Sequence, residues 1–206
     1  MVSYRQRRAL GRSRKIRIGK KIARFPLHVS LRAYHGSRKY YFPKMRGGHT
    51  PPPRPRVTYI LTTWICSIIA IAVLYGVSYF SDAILIMAPF GATCVLLFGA
   101  PDSPLAQPRN VIGGHVIATA ISLVFLHVLG DSWYVVALCV GTAIAMMQWT
   151  KTLHPPAGAD PLVVILTHAS WSFVFIPVFV GAVILVLCAV ITNNVAKERH
   201  YPKYWW

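Results

Sequence analysis

Acidic residues are scarce in this chain, and its first 56 residues contain none. The whole sequence has five Asp and Glu against 22 Lys and Arg, and 17 of the basic residues fall within residues 1–56. Residues 57–206 contain five basic and five acidic residues, so their formal charges cancel. Charge gathered at one end excludes a soluble, uniformly basic protein. We therefore predict a basic arm joined to a neutral, apolar body.

Sequence motifs of the common enzyme classes are missing as well. No GxSxG, HExxH, Walker A or GxGxxG pattern occurs, and the body has too few carboxylates for an obvious acid–base pair. The cysteines lie far apart in apolar stretches without CxxC spacing, which argues against a disulfide framework or a zinc site, at Cys66, Cys94, Cys139 and Cys188. We predict no enzyme activity, no catalytic residues, no metal site and no cofactor.

Long uncharged apolar runs, in contrast, dominate the body. A helix needs about 20 apolar residues to cross the hydrocarbon core of a bilayer. Four long runs meet this need, at 57–80, 111–129, 133–150 and 173–195. Two shorter runs, 84–98 and 161–168, contain or follow Pro and Gly near their starts. The sequence predicts an all-α, polytopic membrane helix bundle with six membrane segments, four long and two short.

The basic residues predict how this body is oriented. If the chain crosses at each of the six segments, every Lys and Arg falls on one side, which the positive-inside rule assigns to the cytoplasm. Four crossings with two re-entrant hairpins satisfy the rule equally well. Both termini are then cytoplasmic, with a basic arm over 1–56, a transmembrane domain over 57–196 and a tail over 197–206. The expected location is a bacterial inner (plasma) membrane or, alternatively, an organelle inner membrane.

A short pattern occurs twice. Pro89-Phe90-Gly91-Ala92-Thr93 and Pro156-Ala157-Gly158-Ala159-Asp160 both read Pro-x-Gly-Ala before a short polar residue. Each stands in the middle segment of a block of three, 57–129 and 133–195. Because three crossings is an odd number, the second block is inverted relative to the first, as in many secondary transporters. We predict an inverted three-plus-three repeat.

The start of each short helix is the predicted binding site. Proline suits the first turn of a helix, where amide groups are free and the helix dipole places about half a positive charge. Two such starts would form a cradle for a small anion. The alternative is that Pro and Gly only kink packed helices. The candidate binding residues are Pro89, Phe90, Gly91, Ala92, Thr93, His154, Pro155, Pro156, Ala157, Gly158, Ala159 and Asp160.

Three ionisable residues near these starts have two interpretations each. His154 either gates the site and carries protons, since His titrates near neutrality, or makes a local hydrogen bond that shapes its turn. His115 either lines the pathway or makes a structural hydrogen bond. Asp160 either caps the free amides of its helix or is a protonatable coupling group. Asp102 and Arg109 either pair and fix the loop over 101–109, which we expect, or take part in substrate entry.

The run over 152–159 contains His154-Pro155-Pro156, and with it the chain resembles the HPP family of integral membrane proteins. Further matching stretches are 89–92 leading into 95–98, 101–110, Gly113-Gly114-His115, Asn193-Asn194 and Tyr201-Pro202. The resemblance implies a multi-spanning membrane transporter, and some plant-plastid and cyanobacterial members are associated with nitrite uptake. It implies no catalytic residues.

We therefore expect an integral membrane transporter or channel for a small solute, in the first place a small inorganic anion such as nitrite. The alternative is a non-transporting membrane scaffold or accessory subunit, in which the repeated segments only pack helices. Expected partners are the lipid bilayer, a small anion and further copies of the chain. No specific nucleic acid is expected, because no recognised binding motif accompanies the basic arm.

The basic arm itself has several interpretations. Clusters such as Arg5, Arg7 and Arg8 suit anionic lipid headgroups, each basic residue contributing about 1 kcal/mol near the surface. An acid-free, Arg-rich start also resembles an organelle transit peptide, and a translation start at Met45 is a further possibility. We predict that residues 1–40 are disordered and that the Pro-rich residues 50–56 are a stiff, extended linker.

Overall fold

The computed structural model describes residues 45–206. The arm over residues 1–44, and with it the predicted disorder of residues 1–40, lies outside the described residues. From Pro53 onward the chain forms one compact unit, which contains the whole predicted transmembrane domain and the tail.

Helices build this unit, and no strand occurs between residues 53 and 206. Prolines fix several helix starts, because the first turn has no use for the N–H that proline lacks. Numbered in chain order, the six helices are α1 Val57–Ser81, α2 Ala88–Gly99, α3 Pro108–Leu129, α4 Trp133–Trp149, α5 Pro155–Leu166 and α6 Trp171–Val195. α2 ends in a π-helical turn, α5 begins with a 3₁₀ turn, and α6 is kinked at Ile176.

Three helices, α1, α3 and α6, are long and apolar enough to cross a membrane, with 25, 22 and 25 residues. α4 has 17 residues, or about 25 Å at 1.5 Å per residue. Three of the four predicted long segments are therefore confirmed by length, and the fourth is shorter than expected.

The short segments start at other residues than the sequence suggested. Residues 83–87 are not helical and Met87 is extended, so α2 begins at Ala88 rather than at 84. α5 begins at Pro155 rather than at 161, because Pro155 and Pro156 open it as a 3₁₀ turn. Pro161 lies in the first turn of the α-helical part, where proline continues a helix without loss of a hydrogen bond.

The helices alternate in direction, so the two chain ends of the unit and the turns after α2 and α4 meet at one end. All seven Lys and Arg of residues 53–206 belong to these segments or to the first turn of α3, and we call this the basic end. Here Lys203 lies 2.7 Å from Asp102, and Arg109 donates to Thr150 O at 2.8 Å. The predicted pairing of Asp102 with Arg109 is wrong, because each has a nearer partner.

The largest apolar core lies between α1, α2 and α6. It includes Leu74, Phe90, Leu97 and Leu185, each at most 1% exposed. The outward faces of the same helices carry many large exposed apolar side chains, among them Trp64 at 62%. Exposed apolar surface on this scale is typical of a protein that contacts lipid.

The tail folds back onto the bundle, a feature that the sequence did not reveal. Arg199 is buried and donates to Phe98 O at 3.0 Å and Tyr59 O at 2.9 Å. It also donates to Asn193 Oδ1 and Thr63 Oγ1. Its charge faces the carboxyl end of α2, where the helix dipole is negative. One side chain thus ties α1, α2 and α6 together.

Tyr201 fastens the tail to the loop before α3. Its hydroxyl donates to Ala106 O at 2.9 Å, and Lys203 N donates to Gln107 Oε1 at 2.7 Å. Burial raises the pKa of the Tyr201 hydroxyl, so it stays protonated and remains a donor. The tail therefore fixes the position of residues 101–107.

Replacing Arg199 with Met tests the tail. The change removes four side-chain hydrogen bonds and leaves Phe98 O and Tyr59 O without that donor. We expect a loss of about 2 to 4 kcal/mol in the free energy of unfolding, measured as a lower thermal midpoint in detergent. Lys197→Met, at an exposed position, is the control and should leave the midpoint unchanged. Equal midpoints for the two variants would contradict this role of Arg199.

Candidate functional site

The two short helices meet inside the bundle beside α3. α2 packs against the first turn of α5, and α5 packs along α3. His115 lies about 10 Å along the axis of α3 from its first residue. His115 and four neighbouring polar residues are fully buried, each 0% exposed, and we call these five residues the polar cluster: Thr93, His115, Thr119, His154 and Asp160.

The Thr93 hydroxyl is the centre of this cluster. Its Oγ1 lies 2.8 Å from His115 Nε2 and 3.0 Å from His154 Nε2. A third neighbour, Pro89 O, lies 3.2 Å away, one turn earlier in α2. Thr93 thus joins α2 both to α3 and to the turn that precedes α5.

The other ring nitrogens of the two histidines have their own partners. His154 Nδ1 donates to Leu105 O at 2.8 Å, and His115 Nδ1 lies 2.8 Å from Asp160 Oδ2. The bond of His154 connects residues 49 positions apart, so it is not the local turn-shaping bond that was one of its two interpretations. The cluster is a continuous hydrogen-bonded chain from Asp160 to Leu105.

Asp160 does not cap its helix. It is the first residue of the α-helical part of α5, but Oδ2 accepts from His115 and, at 3.4 Å, from Thr119. The capping prediction is wrong because the Asp160 side chain turns to side chains of α3, and neither of its oxygens accepts from a backbone amide. Oδ1 is buried and has no hydrogen-bond partner among the described residues. An unpaired buried acceptor costs about 1 to 3 kcal/mol, so it marks a place where a donor is accommodated favourably.

The rings of Phe90, His115 and His154 pack edge to face in a row. The Phe90 ring packs edge-on against His115, with centroids 5.2 Å apart, and the His115 and His154 rings lie 5.0 Å apart. At this separation two positive imidazoliums repel strongly in an apolar interior. The arrangement therefore favours at most one charged ring at a time unless an anion is present.

A glycine pair lets α3 approach the turn before α5. A Cβ at Gly113 would lie 2.9 Å from the Thr152 side chain, and one at Gly114 would lie 2.7 Å from His154 Cβ. Such distances are too short for a real side chain. The Gly113-Gly114-His115 sequence therefore serves two purposes: it admits the turn that carries His154, and it places His115 beneath it.

The predicted site residues differ in how far they are buried. Thr93, His154 and Asp160 enter the polar cluster together with His115. The buried candidates are Pro89, Phe90, Thr93, His154, Pro156, Ala157 and Asp160, the half-buried ones are Gly158 and Ala159, and the exposed ones are Gly91, Ala92 and Pro155.

The backbone amides at the two helix starts are largely paired. Phe90 N–H donates to Met87 O and Ala157 N–H donates to His154 O, both at 3.0 Å. What converges between the short helices is thus a set of side chains. The cradle of free amides stays a prediction.

Sequence reasoning missed two members of the hydrogen-bonded chain. Thr119 follows His115 by four residues, so the two share a face of α3, and this spacing was a usable signal. The carbonyl of Leu105 belongs to an irregular loop, and no residue pattern identifies a backbone acceptor of this kind.

The sequence of the chain matches a known family of membrane proteins. The sequence profile of the HPP transmembrane region matches residues 52–202, a range that contains the whole polar cluster. The chain belongs to the HPP family. Membership confirms the resemblance carried by His154-Pro155-Pro156 and establishes an integral membrane protein.

Two transmembrane proteins of Dictyostelium discoideum are similar to this HPP protein. One is 36% identical over 178 residues, covering 81% of this chain and 57% of the relative. The other is 37% identical over 181 residues, covering 81% of this chain and 63% of the relative. The chain therefore spans about three fifths of the length of these relatives. No solved structure matches it.

Gly114→Ala tests whether the cluster depends on this close packing. The new Cβ would meet His154 Cβ at 2.7 Å and Thr152 O at 2.9 Å. We expect a loss of about 1 to 3 kcal/mol in stability, seen as a lower thermal midpoint in detergent. Gly141→Ala in α4 is the matched control, because its Cβ meets nothing within 4 Å, and its midpoint should stay the same or rise. A Gly114→Ala midpoint as high as that of the control would refute the packing argument.

Proposed function

We propose that this HPP protein moves a small inorganic anion, such as nitrite, across a membrane, and that the anion binds at the polar cluster. The observation that supports this most is the position of Thr93 and Asp160, the two residues aligned by the repeated pattern. Each lies 2.8 Å from a different ring nitrogen of His115. Ionisable groups are costly in a membrane interior and mark solute or ion pathways.

The charges of the cluster suit an anion. A permanent negative charge on Asp160 would repel one, but Asp160 is paired with His115 at 2.8 Å. The pair as a whole is neutral whichever partner holds the proton. The groups that can bind an anion, once it replaces their present partners, are the Thr93 hydroxyl and the ring N–H groups of the histidines.

The burial of the cluster favours alternating access over an open channel. All five side chains are 0% exposed, so solvent does not reach the cluster in this conformation. A solute reaches them when these two helices move apart. α2 and α5 have 12 residues each and run in opposite directions, which supports the proposed inverted repeat with six membrane segments. In this proposal the two short helices are the corresponding moving parts of the two halves.

The alternative, a scaffold or accessory subunit, predicts apolar packing where the short helices meet. The described residues show a hydrogen-bonded cluster there instead, with one orphaned carboxylate oxygen. A packing role alone does not account for buried ionisable groups, since apolar residues of similar volume stabilise at least as well.

We further propose that the basic end faces the cytoplasm of a bacterial cell, or the equivalent side of an organelle inner membrane, and that the arm binds anionic lipid headgroups there. Under this arrangement all 22 basic residues lie on one side of the membrane, seven of them within 53–206 and 15 within 1–46. Further copies of the chain remain expected partners.

Anion uptake by proteoliposomes tests the function. We expect the full-length protein to take up nitrite and nitrate faster than protein-free vesicles do. Asp160→Asn should lower the rate about tenfold or more, because His115 loses its buried counter-charge. Asp82→Asn is the matched control: Asp82 is exposed and has a left-handed backbone, which Asn also tolerates.

Each result has a separate meaning. Absence of uptake for every anion under every pH gradient would reject transport and favour the scaffold. Uptake by Asp160→Asn at the rate of Asp82→Asn would leave transport standing and reject the polar cluster as the binding site.

A further inference from the structure

We propose that the polar cluster binds one exchangeable proton, between Thr93 and His154, and that this proton enters and leaves together with one monovalent anion. The coupling to an anion rests on the function proposed above. The proton site rests on the hydrogen bonds alone.

The two hydrogen-bond partners of His154 determine which of its ring nitrogens carries a hydrogen. Its Nδ1 faces Leu105 O at 2.8 Å, and a carbonyl only accepts, so Nδ1 carries a hydrogen. In a neutral imidazole the second nitrogen is then an acceptor. Thr93 therefore donates its single hydroxyl hydrogen to His154 Nε2 across 3.0 Å.

The direction of the Thr93 hydroxyl hydrogen determines the role of His115 Nε2. With its hydrogen directed at His154, Thr93 offers only lone pairs to His115 Nε2 at 2.8 Å, so this nitrogen donates. The opposite nitrogen and Asp160 Oδ2, which also accepts from Thr119, share one further hydrogen across 2.8 Å. The pair of His115 and Asp160 is neutral as a whole, whichever of the two holds that hydrogen. Every contact has one donor and one acceptor, and the net charge is zero.

A second arrangement satisfies the same contacts with one proton more. Pro89 O lies 3.2 Å from Thr93 Oγ1 and is a second acceptor for its hydrogen. When the hydroxyl turns to Pro89, its two lone pairs face both histidines. His154 Nε2 then gains a proton from solvent and donates to Thr93. One N–H bond forms, no other covalent bond changes, and the net charge of the cluster becomes +1.

Neutrality links this proton to an anion. A net charge of +1 without a partner is costly in the apolar interior, and so is the charge of an anion that enters alone. A proton and a monovalent anion together leave the cluster neutral. A divalent anion with one proton leaves it at −1, so the same site discriminates against sulfate.

Other ionisable groups on the elements around the cluster have partners elsewhere. On α3, Arg109 donates to Thr150 O, and His127 is exposed and bonds to Leu123 O. Asp102 in the loop before α3 pairs with Lys203, and Cys94 on α2 lies in the apolar core. α4 and α6 contain no Asp, Glu, Lys, Arg or His, and α5 contains Asp160 alone. The exchangeable proton is thus assigned to His154.

Nitrogen NMR of full-length protein labelled with ¹⁵N-histidine tests the proton site without any transport. We expect His154, identified by the signals missing from His154→Gln, to carry its proton on Nδ1 alone at alkaline pH. Both nitrogens should be protonated at lower pH, and added nitrate should shift this step to higher pH, because proton and anion bind together. A neutral His154 protonated on Nε2, or a step that nitrate does not move, would overturn the proposal.

Proton and anion fluxes in proteoliposomes test the coupling. Nitrate is the probe, because its conjugate acid is strong and does not carry it across the lipid, and sulfate is the divalent comparison. We expect about one proton per nitrate, and no sulfate uptake. Thr93→Val, which lacks the hydroxyl, should lose about tenfold or more of the uptake driven by a pH gradient, whereas Thr93→Ser should retain it.

The outcomes separate the two proposals. Nitrate uptake without proton movement overturns the coupling and leaves the proposed function in place. Absence of all anion uptake, with His154 titrating as described, overturns the function and the coupling but establishes the proton site. Equal uptake by Thr93→Val and Thr93→Ser removes Thr93 from the site.

Discussion

The fold depends on the need to satisfy polar groups that lie deep in an apolar bundle. His115 meets this need from both sides of its ring, with Thr93 of α2 at one nitrogen and Asp160 of α5 at the other. Two short helices must therefore present these residues at the same depth of α3. The glycines that precede His115 let the turn before α5 come close, so that His154 lies within hydrogen-bonding distance of Thr93. Backbone geometry and buried chemistry are thus set by the same few residues.

The loop over residues 101–107 connects this interior to the basic end. Leu105 O accepts from His154, while Ala106 O accepts from Tyr201. The tail that supplies Tyr201 is in turn held by Arg199, which bridges α1, α2 and α6. A displacement of the tail would therefore move a hydrogen-bond partner of the polar cluster. The basic end and the polar cluster are therefore connected by a continuous set of hydrogen bonds.

The sequence was sufficient for the membrane domain, for the approach of the two Pro-x-Gly-Ala segments to each other and for naming His115, His154 and Asp160 as candidates. Apolar run length and the location of Pro and Gly carry that information locally. The sequence did not reveal the partner of Asp160. A residue that caps its helix and one that bonds to a histidine 45 residues away have the same sequence pattern. The sequence also missed the tail, since Arg199 resembles any charged residue after a membrane helix until its buried carbonyl partners are known.

The closed cluster also constrains how a solute can bind. Thr93 has one hydrogen and two lone pairs, and three neighbours within 3.2 Å already use them. An anion entering here must replace some of these contacts, and only donors are useful to it. The extra proton on His154 converts an acceptor into a donor at the point where α2 meets the turn before α5. The same event that makes the cluster attractive to an anion thus also changes the bond that holds these two elements together, which is what a mechanism of coupled opening requires.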